Sequence, residues 1–317
     1  MPPDGAPNVC QWYNQTMAFR HFVAFTGKTE SAAHIKPLHW YIACRLVLEG
    51  GFHPDDITPR PPFQVRYKNG EHLLSFDPAS ARGSERTILG GLKTKSVDVV
   101  VTRNGIGPVM AVSCKGTTKS FRNLTNRMEE TVGECTNLHI TYPAMVVGYF
   151  SVLKGNRAVA IEATTAIKSP EVLERAMAKD DLAFRTEQEP VERIVRFHAA
   201  LREMTGRRGI RNDVSRYEAM TIVLLEAEET KVGDAFAHFP PEGSPIRLEN
   251  FFSTLYARYD ERFVFGAPKL KKTTKRLEWS ESSPIFARPK PASDPELDYE
   301  ARIASGPEID EPEDDED

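Results

Sequence analysis

The stretch from Val97 to Cys135 gathers residue types that can do hydrolytic chemistry. Asp98 interrupts the apolar run SVDVVVT (96–102), and a carboxylate is excluded from such a run unless it has a partner. After the turn residues Asn104-Gly105 and Gly107-Pro108 comes a second run, VMAVSCK (109–115), closed by Lys115. Ser113, two residues earlier, shares a strand face with Lys115. Residues 120–138 read as a helix with Ser120 as N-cap, and they carry Glu129 with Glu130 beside it. If the two runs are antiparallel neighbours, Asp98 and Lys115 converge at one rim of a sheet, and Glu129 projects back toward them.

Two carboxylates and a lysine are the minimum for phosphodiester hydrolysis. The phosphodiester is an anion that repels its nucleophile; Mg²⁺ neutralises that charge, activates water and steadies the leaving oxygen. Magnesium takes hard oxygen ligands, usually one or two carboxylates completed by water and phosphate. A lysine alongside positions the water or stabilises developing charge. On the helix, Arg122, Asn126 and Glu129 fall near one face, so Arg122, Asn126 and Arg127 are candidates for the scissile phosphate.

The pattern of Asp98, Ser113 and Lys115 resembles the PD-(D/E)xK restriction-endonuclease-like superfamily. Two positions depart from its usual form: Val97 stands where the proline would be, and Ser113 where the second acidic residue would be. Some type II restriction enzymes have Ser-x-Lys there and recover the carboxylate from the following helix about fourteen residues on, the spacing of Glu129 from Lys115. The resemblance implies that Asp98 and Glu129 bind Mg²⁺ and that Lys115 serves the attacking water. An acidic residue of the first helix often joins them, which makes Glu49 and Glu30 candidates. The implied fold is an α-β-β-β-α-β core, a mixed sheet flanked by helices. The implied activity is DNA cleavage in restriction or phage defence, with a possible defence-system partner protein. Double-strand cutting needs two sites and hence a homodimer or higher oligomer. An alternative is a catalytically inactive nuclease fold that binds DNA or scaffolds a complex. A third is an unrelated α/β scaffold in which this spacing is chance.

The elements that must position these residues are legible in part. PLHWYIACRLVLE (37–49) reads as a helix, with Pro37 in its first turn and Gly50-Gly51 as its stop. Residues 52–62 read as a loop, and FQVRY (63–67) and EHLLSF (71–76) as a hairpin around Asn69-Gly70. Residues 142–153, 158–164 and 220–228 read as strands; 190–206 and 248–263 read as helices. The sum is an α/β domain on a mixed sheet with helical additions. The expected organisation is an N-terminal arm (1–30), the α/β domain (31–265), and a basic, then Pro-rich and acidic disordered tail (266–317).

Charge and composition narrow the partners. Residues 291–317 hold twelve acidic residues and one basic residue, a charge of −11, so the net −4 of the chain leaves +7 on residues 1–290. A basic body suits a polyanion such as DNA. Arg202, Arg207, Arg208 and Arg211, and Lys269 to Arg276 with Lys271 and Lys272, are two clusters suited to a DNA backbone. The acidic tail could screen them. No signal peptide and no apolar run near the ~18 residues of a membrane span are evident, so a cytoplasmic protein is expected. HEXXH, GxGxxG and GxxxxGK[ST] are absent, and the four cysteines and eight histidines show no zinc-finger spacing. The cysteines therefore read as core thiols.

Overall fold

The computed structural model describes residues 12–27, 32–157, 181–186, 188–211, 213–287 and 295–304. Its centre is a mixed five-stranded sheet in the order β1 (Ile57–Thr58), β6 (Val99–Arg103), β7 (Gly107–Thr117), β8 (Val146–Gly155), β9 (Ala219–Glu226). The first three strands are antiparallel neighbour to neighbour, whereas β8 and β9 run parallel to β7. Parallel strands are covered on both faces and so carry unbroken apolar runs; every residue of β9, and all but Lys154 of β8, is buried.

One face is covered by α1 (Gln15–Ala24), α2 (Lys36–Leu48) and α5 (Leu248–Tyr259), the last continued by a π turn, Asp260–Phe265. The other face carries α3 (Leu124–Thr141) and α4 (Glu192–Glu203). Helix α2 has almost no polar side: Leu38, Tyr41, Ile42, Cys44, Leu46, Val47 and Leu48 are all buried, because sheet, neighbouring helices and C-terminal segment enclose it. It stops at Gly51, whose φ of +67° suits glycine and where a β-carbon would lie 2.1 Å from the Leu277 carbonyl oxygen.

Several expectations are corrected. The hairpin, β2 (Phe63–Lys68) and β3 (Glu71–Phe76), turns at Asn69-Gly70 as read, both residues having positive φ, but it forms its own two-stranded sheet. The outer strand of the main sheet is instead β1, inside the segment read as a loop; Ile57 pairs with Val101. The run 96–102 is not one strand. It divides at Asp98 into β5 (Lys95–Val97), which pairs with β4 (Arg86–Ile88), and β6, which pairs with β7. Ser120 is no side-chain cap: it sits at φ 58° before a 3-10 turn, Phe121–Asn123, and its N–H donates to Asp181.

The termini are also more ordered than read. Residues 15–24 of the expected arm form α1, capped by the Asn14 side chain, which accepts from the Met17 N–H, and anchored by buried Phe19 and Phe22. Within the expected tail, α6 (Lys271–Thr274) leads to the fully buried Trp279, whose indole N–H donates to the Val47 carbonyl. Residues 295–304 return to the body: Arg302 N–H bonds the Leu48 carbonyl, and the Gln15 N–H bonds Asp298. The strand read at 158–164 lies outside the described residues.

Candidate active site

Asp98 occupies the joint where the chain leaves the small β4–β5 pair and enters the main sheet. Antiparallel pairing of β6 with β7 brings it beside Cys114, whose N–H donates to Asp98 Oδ2 at 2.7 Å. The next residue, Lys115, points to the α3 side, and its Nζ stands 3.8 Å from Asp98 Oδ2. From α3, Glu134 completes the group, with Oε2 3.9 Å from Lys115 Nζ and 3.1 Å from Lys95 Nζ. Asp98 and Glu134 are both buried.

Of these residues Lys95, Lys115 and Glu134 line a cleft of about 500 Å³, together with Leu92, Lys93, Arg127, Glu130 and Asn137; Asp98 lies behind Lys115. Asn137 fixes one rim. Its side-chain oxygen accepts from the Leu92 and Lys93 N–H groups, and its amide donates to the Lys93 carbonyl. The rim thereby holds Leu92 76% exposed at the mouth.

The electrostatics are those of a buried charge cluster. Burial pushes the Asp98 carboxyl above its ordinary range, against the opposing pull of Lys115 and the Cys114 N–H. Burial also works against the Lys115 ammonium, but Glu134 and Asp98 outweigh it and raise Lys115 further. Lys115 is therefore a fixed cation and not a base at neutral pH. Ser113 lies on the same strand face, buried, with its hydroxyl making no hydrogen bond; Glu134 Oε1 is likewise buried without a partner. Buried polar atoms left open in this way are costly unless water or an ion meets them. Glu134 thus has one open carboxylate oxygen beside Lys115, while Asp98 Oδ2 is engaged by the Cys114 N–H.

The expected and observed sets differ in the second carboxylate. Asp98 and Lys115 come together, with Ser113 on the same strand face as Lys115, but Glu129 is exposed on α3, and Glu134 takes the inward position. Five residues separate the two glutamates, a rotation of well over a quarter turn on a helix. Glu49 is also elsewhere: it accepts two hydrogen bonds from Arg45 and one from Tyr256. The residue that α2 delivers to Asp98 is His39, 3.5 Å away. Glu30 lies outside the described residues.

The expected DNA contacts divide. Arg127 lines the cleft, 3.8 Å from Glu130, while Arg122 and Asn126 are exposed at the start of the helical segment. Arg208, Lys271 and Lys272 are exposed away from the cleft lining. Arg207 is not a surface residue: fully buried, it bonds Glu218 and the carbonyls of Pro143 and Ile210. Cys44, Cys114 and Cys135 are buried free thiols, as read. No helix among the described residues is long and apolar enough to cross a membrane. Comparison of the chain with protein-family models, with curated proteins and with solved structures gave no match.

Proposed function

We propose that this protein is a Mg²⁺-dependent DNA endonuclease with a restriction-endonuclease-like core, acting in restriction or phage defence as a homodimer or larger assembly. The observation that carries the reading is that Asp98 and Glu134, from a strand joint and a helix, both approach the Nζ of Lys115, which with Glu134 lines a cleft also bordered by Lys93, Lys95 and Arg127. The order α2, β1, β6, β7, α3, β8, three antiparallel strands followed by a parallel one, supports it as the α-β-β-β-α-β arrangement that the Asp98–Ser113–Lys115 pattern implies.

Asp98 and Glu134 would hold the metal. When bound, Mg²⁺ supplies charge neutralisation of the phosphodiester and activation of water. Lys115, kept charged by the two carboxylates, orients the attacking water and offsets negative charge that grows on the phosphate oxygens. Lys93 and Arg127 at the mouth attract the backbone, with the loop at Leu92 packed against the duplex. The burial of Asp98 and Glu134 strengthens each of these interactions by excluding bulk water.

A cleavage assay on plasmid and phage DNA tests the proposal. Wild type should cut with Mg²⁺ and not with EDTA, and Asp98→Ala, Lys115→Ala and Glu134→Ala should each abolish cutting. DNA binding without cutting under all conditions would replace this reading with that of a non-cleaving, nuclease-fold binding or scaffolding subunit.

A further inference from the structure

A second group of ligating atoms lies on the α2 side of the sheet, across from Lys115. His39 on α2, Asp98 at the strand joint and Cys114 on β7 each present one ligand atom, all within 4.8 Å of one another and all buried. Sequence spacing gives no sign of this set. The β6–β7 pairing creates it, because the strand pleat sends Cys114 to the face opposite Ser113 and Lys115, toward α2.

His39 is the residue left unexplained by the magnesium site. It is 4% exposed, and its Nε2, aimed at Asp98 Oδ1 from 3.5 Å, makes no hydrogen bond. That separation is long for a hydrogen bond but close to the ~3.3 Å edge of a tetrahedron whose metal–ligand bonds are about 2.0–2.1 Å.

We propose that His39, Asp98 and Cys114 form a binding site for a borderline-soft divalent ion of the zinc class. Imidazole nitrogen, carboxylate oxygen and thiolate sulfur together suit Zn²⁺ or Co²⁺; magnesium does not take a thiolate. Three protein ligands leave the fourth tetrahedral position to water. On binding, the sulfur–metal bond forms as the Cys114 thiol proton leaves to solvent. Asp98 belongs to both groups, presenting Oδ1 to His39 and Oδ2 to Lys115, so an ion here sits directly behind the proposed magnesium position.

The test needs no activity and does not rest on the nuclease reading. The full-length protein, reduced and freed of metal with EDTA, is titrated with Co²⁺. One equivalent should give a thiolate-to-cobalt charge-transfer band in the near ultraviolet, which Zn²⁺ then bleaches, and Zn²⁺ should raise Tm. Cys114→Ala should lose the band and the Tm shift, His39→Gln should weaken cobalt binding, and Glu134→Gln should leave both signals intact. If Cys114→Ala does not fold, His39→Gln and the wild-type titration decide. Absence of the band in wild type, a band that persists without Cys114, or cobalt affinity unchanged in His39→Gln would overturn the proposal.

Discussion

Lys115 Nζ on β7 and Glu134 Oε2 on α3 stand 3.9 Å apart on the floor of the cleft, and Glu129, one and a half turns earlier on the same helix, is exposed. The two glutamates therefore make opposite predictions. Glu134→Gln should lower the cleavage rate by on the order of 10²–10³-fold or more, the loss typical of removing one preorganised electrostatic contact. Glu129→Gln should stay within about twofold of wild type, since a solvated helix position carries little energy. Single-turnover cleavage at saturating Mg²⁺ measures both; loss of cutting in the Glu129 variant with retention in the Glu134 variant would reverse the assignment.

The buried cluster around Glu218 predicts acid sensitivity. Glu218 Oε1 accepts from Arg207 and Arg262 at 2.8 and 2.7 Å, and Oε2 accepts from the Val147 N–H at 2.7 Å, with His139 Nε2 3.4 Å away. Burial alone would raise this carboxyl, but His139, Arg262 and the Val147 N–H outweigh it and lower it from 4.5 to about 2. A depressed carboxyl stabilises the fold above its unfolded value and loses that contribution as pH falls through its folded value. Glu218→Gln should cost about 3–5 kcal/mol at pH 7, the range for breaking a buried ion pair. The gap from wild type should narrow between pH 4.5 and about 2. Urea unfolding across that range measures it, and a gap independent of pH would show that the carboxylate charge is not what holds the cluster.

Much of the candidate site was legible because it violates local pattern. Asp98 among valines, and Lys115 following the apolar part of its strand, are polar residues where packing demands apolar ones, and their side chains meet. Glu134 carries the same signal: Leu124, Thr131, Cys135 and Leu138 mark the buried stripe of α3, and Glu134 falls within it while Glu129 does not. Family spacing points to Glu129, which is exposed, whereas helical periodicity points to the buried Glu134. Strand β1 has two residues and no period to read. His39 was hidden because α2 is buried on all sides, so no polar face distinguishes it. Arg207 was misjudged because composition cannot tell a surface arginine from one that neutralises a buried glutamate across the fold.

The C-terminal segment makes a prediction about where the chain can be cut. Residues 295–304 bond α1, α2 and the Trp279 strand-like stretch, through Asp298 to Gln15, Arg302 to Leu48, and Trp279 to both Arg302 and Ala304. The Tyr299 ring also faces the Arg45 guanidinium, 4.8 Å from its centre. Ending the chain after residue 290 should therefore lower Tm by several degrees, whereas ending it after residue 304 should leave Tm unchanged. Trp279→Ala should cost about 3–5 kcal/mol as a cavity in a packed core. Thermal melts of the two truncations distinguish a docked segment from a dispensable one; equal Tm values would mean that the contacts of 295–304 add nothing.

The rim of the cleft predicts how DNA binding responds to salt. Lys93 and Arg127 line the mouth with side chains that can reach a backbone. Removing a lysine or arginine that neutralises a phosphate reduces the slope of log affinity against log salt by about 0.9 per contact. Lys93→Ala and Arg127→Ala should each weaken binding and flatten that slope by roughly one unit, without change in Tm. Arg207→Ala should do the opposite, lowering stability by about 3–5 kcal/mol because it removes one of the two guanidiniums that neutralise the buried Glu218 carboxylate. Any loss of DNA binding in that variant should track its unfolded fraction. Asn137→Ala should release the Leu92–Lys93 rim from three hydrogen bonds and weaken binding with only a modest fall in Tm. Fluorescence anisotropy across a salt series, paired with melts of each variant, measures all four; a slope unchanged by Lys93→Ala and Arg127→Ala would move the nucleic-acid face away from this cleft.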